Sequence, residues 1–383
     1  MKHKTLHVVY IITKLELGGA QKVCLALLNG VRTHDIHSML ISGKEGTLTH
    51  IVKQDSDIFL LDELTREIKA TGILKELYCF FVLIKKLHTL KKKYPNLIVH
   101  THSTKAGLLG RWAAFFAGIK KRVHTIHGFA FHNHQPAFVR FTIKIVEWLT
   151  SFITTHFVCV SSQDVKTGMQ SLHNFAKKHS IIRAAIDWQQ FYVPARLCTD
   201  FPDEKHRFIF GTIACFKKQK NIFDLLKAFE QVHKKNKHTR LEIIGDGILR
   251  NEIEQWIAQH TLTNVITLHG WQEKVAPFML NWHAFVLSSL WEGLPCAIVE
   301  ARLLKLPVLS YNTGGIADII IDGQNGLLYK QQNWEKLADG MLKLTKTKDT
   351  YQKLSACKDD LSDFKNEQMI AQHVDLYHRM FHN

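Results

Sequence analysis

The sequence lacks most of the short patterns that announce a function. No run approaches the ~18–20 apolar residues needed to cross a bilayer. There is no C-x-x-C, no zinc-ribbon spacing, no H-E-x-x-H and no G-x-G-x-x-G. A spanning helix, a ribbon-type zinc site, a zincin and the dinucleotide fingerprint are thereby excluded. Glycine (21) and proline (7) are scarce among 383 residues, and neither a low-complexity segment nor a repeat of ~20–50 residues is visible. The seven cysteines (24, 79, 159, 198, 215, 296, 357) are odd in number and unpaired in spacing, as reduced thiols of a cytosolic protein would be. Near the amino end the apolar run 8–12 is too short for a signal h-region and reads as a strand. The chain is therefore expected to be neither exported by that route nor membrane-spanning.

What is present is an ordinary folding composition, 46% hydrophobic and 22% charged. At ~100–200 residues per domain the length predicts two or three cores, which excludes a peptide hormone, a disulfide knot or a lone recognition module. Fifty Lys and Arg oppose 34 Asp and Glu, a net charge of +16. The excess is concentrated. Between Lys69 and Arg122 every charged residue but Glu76 is basic, which points to a phosphate-bearing partner: nucleic acid, anionic lipid or a phosphorylated small molecule.

Short β-branched runs alternate with longer helical patterns, the signature of parallel βα units. Strands are expected at 7–13, 38–42, 58–61, 97–101, 122–126 and 157–161, and again at 208–214, 241–244, 265–268, 284–288, 308–310 and 326–328. The fold class is α/β, with two Rossmann-like, doubly wound parallel sheets. Residues 189–202, with Pro194 and Pro202, break the periodicity and read as the linker, giving domains 1–188 and 189–365. A last helical pattern at about 366–383 is expected to pack back onto the first domain. Ligands of open parallel sheets lie beyond the carboxyl ends of the strands, so a central cleft faced by both sheets is the expected binding place.

Gly18 and Gly19 stand where the first strand turns into a helix, a geometry that admits an anion to backbone N–H groups and equally makes a plain tight turn. Residues 72–95 combine apolar positions with five lysines in their second half. They are either a core-packed helix with a solvated end or a face for an anionic membrane. His100, His102, His124, His127, His132 and His134 raise the question of a metal, but none sits in a known ligand spacing. Glu292, in a loop after a strand, and Glu300, one to two turns into the next helix, can bind vicinal hydroxyls or be ordinary solvated carboxylates.

The surrounding residues distinguish these readings. W-E-G-L-P with glutamates eight apart, then P-V-L-S-x-N-T-G-G-I-x-D-I-I-x-D-G-x-N-G, resembles the E-x7-E signature of retaining glycosyltransferase family 4, the group with glycogen synthase-like, two-domain GT-B architecture. The resemblance extends through LGGAQK, THSTKAGLLGRWAA, TIHGFAFH, ACFKKQKN and LEIIGDGILRNEIE, nearly the whole chain. It implies that Glu300 holds the nucleotide ribose and Glu292 the donated sugar, with Gly293, Leu294 and Cys296 supplying backbone contacts. It implies that Lys220 neutralises the diphosphate together with the Gly18 and Gly19 amides, and that His127 faces the sugar. The family's companion arginine falls at Cys215. Either Lys217 or Lys218 supplies that charge, or one cation suffices.

The resemblance further implies a metal-independent hexosyltransferase with no cofactor, only a nucleotide-sugar donor, UDP-linked by family frequency. The implied acceptor is a polyisoprenoid- or lipid A-linked saccharide of a bacterial surface polymer. The expected location is cytoplasmic, peripheral on the cytoplasmic face of the inner membrane. A nucleotide-sugar epimerase of the same architecture is the rival enzyme. A nucleic-acid-binding protein is the non-enzymatic rival, but it would need stacking platforms or a recognition helix that the sequence does not offer.

Overall fold

The computed structural model describes residues 5–52, 55–65, 72–191, 201–202 and 206–382. Lys69, Cys198 and positions 192–200 of the expected linker lie outside them. The chain divides into two compact units, Met1–Ile186 with Ser362–Asn383, and Asp187–Leu361.

The first unit runs β1 (Leu6–Ile12), α1 (Gly19–Gly30), β2 (Ile36–Gly43), α2 (Thr49–Val52), β3 (Ile58–Leu61), α3 (Ile73–Lys93) and β4 (Leu97–Thr101). It continues with α4 (Thr104–Phe116), β5 (Lys121–Ile126), α5 (Ala137–Ile153), β6 (His156–Cys159), α6 (Ser162–Ser171) and β7 (His179–Ile181). The second runs α7 (Trp188–Phe191), β8 (Phe208–Ile213), α8 (Ile222–Lys235), β9 (Thr239–Ile244), α9 (Arg250–Gln259), β10 (Ile266–Leu268) and α10 (Ala276–Met279). After these come β11 (Ala284–Leu287), α11 (Cys296–Leu303), β12 (Val308–Tyr311), β13 (Gly326–Tyr329), α12 (Trp334–Lys346) and α13 (Lys348–Ala356). The final helix, α14 (Asn366–His382), belongs to the first unit.

Both sheets are parallel throughout, in the orders β3-β2-β1-β4-β5-β6-β7 and β10-β9-β8-β11-β12-β13. This is the doubly wound architecture expected from the alternating pattern. The three-residue β7 was missed, because His-Ser-Ile carries no alternation long enough to read. In each sheet the strand order reverses once, at β1/β4 and at β8/β11. Right-handed crossovers place the helices before and after a reversal on opposite faces, and the carboxyl ends of the two strands at such a reversal are where open parallel sheets take their ligands.

Successive strand side chains alternate between the faces. Val9 and Ile11 of β1 pack with α3 and α4, through Leu83, Leu87, Ala106 and Ala113. Tyr10 points the other way, and its hydroxyl lies 3.1 Å from that of Tyr377 on α14. That helix buries Met369, His373, Leu376 and Tyr377, one face of a 3.6-residue period. Burial of such side chains contributes roughly 1.5–3 kcal/mol each. Gly30 closes the contact with α1, since a Cβ there would sit 2.2 Å from Ile370 Cδ1.

The second core lies between β8, β9, β12 and helices α8 and α12, with Phe210, Leu225, Phe229, Leu337 and Met341 buried. A polar strut crosses it: Tyr311 donates to Asp224 Oδ2 at 2.8 Å, and Asn221 donates to the same oxygen at 2.7 Å. No helix among the described residues is long and apolar enough to cross a membrane. The six described cysteines are thiols, with no disulfide among them.

Structure reduces the positive field counted along 69–122. Lys105 is bound to Glu76 at 2.5 Å, Arg111 is fully buried against Glu147, and Arg122 donates to the carbonyls of Ile119 and Ile153. What reaches solvent is mainly the lysines of α3 together with Lys120.

Candidate active site

The reversal in the second sheet sets two loops side by side, 214–221 after β8 and 288–295 after β11. Phe216, fully buried, anchors the first: its N–H donates to Asp246 O at 2.8 Å and its carbonyl accepts from Leu249 at 3.2 Å. Residues 218–220 then make one tight helical turn that ends on Asn221 at φ 45°, a left-handed position that asparagine tolerates better than most residues.

Four hydrogen bonds join the loops. Leu290 N–H donates to Gln219 O (2.8 Å), and Gln219 Nε2 donates to Trp291 O (2.8 Å). Ser288 Oγ donates to the carbonyls of Lys220 (3.1 Å) and Asn221 (2.9 Å). So held, Lys220 Nζ meets Glu292 Oε1 at 2.5 Å, with the two side chains 19% and 8% exposed. Both charges are mostly withdrawn from water, where a pair is screened less than on the surface.

Gly314 supports the loop from below. It has φ 57°, and a Cβ would lie 2.1 Å from Glu292 O. Its neighbour Gly315 donates to Gly293 O at 2.6 Å. Pro295, in extended conformation, precedes α11, so Cys296 opens the helix, while Leu294 is buried beneath the loop. Glu300 is the fifth residue of α11 and 8% exposed. Lys220, Glu292 and Gly293 are thus held together at the carboxyl edge of β8 and β11, with Leu294 beside them, while Cys296 begins α11 and Glu300 lies in its second turn. Lys218 lies exposed on the same turn, and Lys217 is half-buried beside Cys215 and Phe216. The positive end of the α11 dipole and the Lys220 ammonium together suit an anion, and the two carboxylates suit hydroxyls.

The remaining candidates belong to the first unit. Gly18 is the N-cap of α1 and Gly19 its first residue, after the loop that leaves β1. Thr13 in that loop lies 2.7 Å, Oγ to Oγ, from Ser103 in the loop leaving β4, which closes the switch point. His127 follows β5. Its Nε2 lies 3.0 Å from His102 Nδ1, so one ring donates and the other accepts. His102 stacks on His100, whose Nδ1 and Nε2 reach Tyr377 (2.6 Å) and Thr125 (2.7 Å).

The His102 contact with the candidate His127 is one that sequence reasoning missed. His102 was noticed only as one of many histidines, although its place one residue beyond β4 and beside β5 puts it against His127. Among the described residues no three His, Cys, Asp or Glu side chains form a group able to hold a metal ion.

Burial is the main reason these rings resist protonation. His127 is pushed down to about 4, with positive charge on His373 adding to the effect. His373 itself is also pushed to about 4. His100, His102 and His124 lie well below the ordinary imidazole value, again through burial first. At neutral pH the rings are uncharged. The unfolded chain takes up these protons near pH ~6.5 and the folded chain only at lower pH, about 4 for His127 and His373, so unfolding absorbs protons below pH ~6.5. Stability is therefore full above about pH 6.5 and is lost as pH falls toward 4. Melting curves at about pH 7.5 and about pH 5 should show the lower midpoint in acid, and equal midpoints would overturn the assignment.

Two family models match the chain. Residues 17–189 match glycosyltransferase family 4, and residues 200–358 match glycosyl transferases group 1. The chain is built of glycosyltransferase domains. These glycosyltransferase domains also have relatives along most of their length. A UDP-Gal:alpha-D-GlcNAc-diphosphoundecaprenol alpha-1,3-galactosyltransferase of Escherichia coli is 28% identical over 354 residues, 90% of this chain and 89% of that protein. The capsular polysaccharide biosynthesis glycosyltransferase CapM of Staphylococcus aureus is 24% identical, over 81% of this chain and 80% of its own. In fold, HepE of Anabaena, crystallised with UDP and glucose, superposes with a TM-score of 0.79 at 16% identity, covering 98% of this chain and all of that one. Its structural neighbours are GT-B glycosyltransferases, so the two-domain GT-B architecture expected for this glycosyltransferase is the one observed.

Proposed function

We propose that this glycosyltransferase moves a hexose from a UDP-sugar to a hydroxyl of a lipid-linked saccharide, with retention at the anomeric carbon and without a metal, in the synthesis of a bacterial surface polysaccharide. The observation that carries this reading is the Lys220–Glu292 pair at the carboxyl edge of β8 and β11, beside the start of α11. The galactosyltransferase relative, whose name includes a UDP-linked sugar and a diphosphoundecaprenol acceptor, supports the choice of donor and acceptor.

In this reading the second unit takes the donor and the first presents the acceptor. Glu300 accepts from the ribose hydroxyls, and the backbone at Gly293, Leu294 and Cys296 lines the sugar and phosphates. When a diphosphate arrives, the Lys220 ammonium exchanges its carboxylate partner for the phosphate oxygens, which releases Glu292 to accept hydrogen bonds from the sugar. As the glycosidic C–O bond breaks, the leaving diphosphate gains charge that the Lys220 ammonium holds. The acceptor hydroxyl attacks from the same side and passes its proton to the departing β-phosphate. Neutral His127, its tautomer set by His102, donates to or accepts from the sugar without adding charge. The chain acts from the cytoplasmic face of the inner membrane.

The two glutamates provide the test. Glu300→Ala is expected to lose UDP binding by calorimetry, roughly tenfold or more. Glu292→Ala is expected to keep most UDP affinity and lose transfer. Wild-type transfer in both variants would refute the assignment.

A further inference from the structure

The helix α5 is amphipathic in the reverse sense. Its buried face is largely polar: Glu147 receives Arg111 Nη2 at 2.9 and 3.2 Å, and Thr150 accepts from Trp112 Nε1 at 3.0 Å. Thr154 just beyond it accepts from Arg111 Nη1 at 3.1 Å. Its largest apolar side chains face outward. Phe138, Phe141, Ile145, Trp148, Leu149 and Phe152 are 39–80% exposed. At about 100° per residue they fall within an arc of roughly 100°, the width of a complete apolar stripe. Scattered exposed hydrophobics need no explanation, but a stripe along a whole helix does.

The neighbouring helices extend the face. α3 packs on α4 and α4 on α5. The first half of α3 exposes Leu74, Leu77, Tyr78 and Phe81, again at helical spacing, while its second half buries Leu83, Leu87 and Leu90. Between them α4 exposes Phe115 and Phe116, and the Phe116 ring lies 6.0 Å from that of Phe80. Charge at the rim has one sign. Lys75 and Lys144 are exposed beside the two stripes, and the one acid of α5, Glu147, is turned inward onto Arg111.

Aromatic and aliphatic side chains edged by lysine match the headgroup boundary of an anionic bilayer, where each apolar group partitions inward and each lysine meets phosphate. A second copy of the chain would bring lysine against lysine, and the cores of protein interfaces are depleted of lysine. At 17 residues, with Arg140 and Lys144 inside it, α5 lies along the boundary rather than across it. We propose that α5, with the exposed half of α3, is an interfacial docking face for an anionic phospholipid bilayer. Its use, to hold the enzyme where a lipid-linked acceptor resides, rests on the function proposed above; the surface itself does not.

Flotation of the full chain with phosphatidylglycerol-containing vesicles, against pure phosphatidylcholine, tests it. The wild type is expected to float with the anionic vesicles, and Phe141→Glu with Trp148→Glu to lower partitioning at least about tenfold. A milder pair, Phe138→Ser with Leu149→Ser, should lower it in the same direction, and an unchanged melting midpoint shows that the fold is kept. UDP titration is run on the same samples, so loss of the nucleotide reading and loss of the membrane reading are told apart. Absence of flotation by the wild type, or variants that float equally well, overturns the proposal. So does a lipid-free dimer that Phe141→Glu dissociates, which would assign the face to a second copy.

Discussion

Lys220→Ala is expected to lower kcat/KM by roughly 10²–10³, or about 2.7–4 kcal/mol of transition-state stabilisation, the usual cost of removing one preorganised donor from a developing anion. The loss should fall mainly on kcat. Charge on the leaving diphosphate grows as the C–O bond breaks, so an ammonium facing it gains more interaction in the transition state than in the bound donor. Only Lys220 among the cations of its turn is held against Glu292, by the hydrogen bonds that lock residues 219–221 to the 288–291 loop. Lys220→Arg retains charge but replaces a compact ammonium with a planar fork and should recover only part of the rate. Steady-state kinetics with a nucleotide-sugar donor check this. A Lys220→Ala enzyme within about threefold of wild type would place the phosphate-neutralising charge elsewhere, with Lys217 and Lys218 the next to test.

The largest expected effect on stability comes from Arg302→Ala. Its guanidinium is fully buried and pairs with Asp359 at 2.8 Å. It also donates to the carbonyls of Leu306 (2.7 Å), Leu354 (3.0 Å) and Cys357 (3.4 Å). Truncation removes the charge partner of the buried Asp359 carboxylate, which keeps the Asn325 amide (2.6 Å), and takes a donor from three carbonyls, of which Cys357 O keeps Lys305 Nζ (3.4 Å). Removing one partner of such a pair costs about 3–5 kcal/mol, although the intact pair is worth much less against an apolar replacement. For a unit of this size that corresponds to roughly 6–20 °C in melting temperature. Because Arg302 lies two residues beyond Glu300 on α11 and fastens that helix to the chain after α13, UDP affinity should fall as well. A variant that melts within about 2 °C of wild type would show that the network is dispensable.

Much of this glycosyltransferase was legible before any coordinates. The alternation of β-branched runs with amphipathic stretches located twelve of the thirteen strands among the described residues to within a few positions, because a strand buried on both faces needs a continuous apolar run whatever surrounds it. Residues 292–300 were equally readable as a loop running into a helix, since Pro295 is tolerated at a helix start and little else there is ambiguous. The charge count misled in one respect. Lys105, Arg111 and Arg122 look like part of a basic surface in sequence, but they are consumed by Glu76, Glu147 and backbone carbonyls. The α5 stripe was also overlooked, because an apolar face reads as core until its neighbours are known.

Periodicity, turn residues and local charge are properties of neighbours along the chain, and they determined the α/β class, the parallel sheets and the loops that carry Lys220 and Glu292. Contacts between distant residues had to wait for the fold. The 72 positions between Lys220 and Glu292 close only where β8 and β11 lie adjacent. His102 meets His127 across β4 and β5, and Tyr377 reaches Tyr10 and His100 only after α14 returns to the first sheet. Strand order decides which loop ends meet, and strand order follows from the packing of whole faces rather than from any local signal.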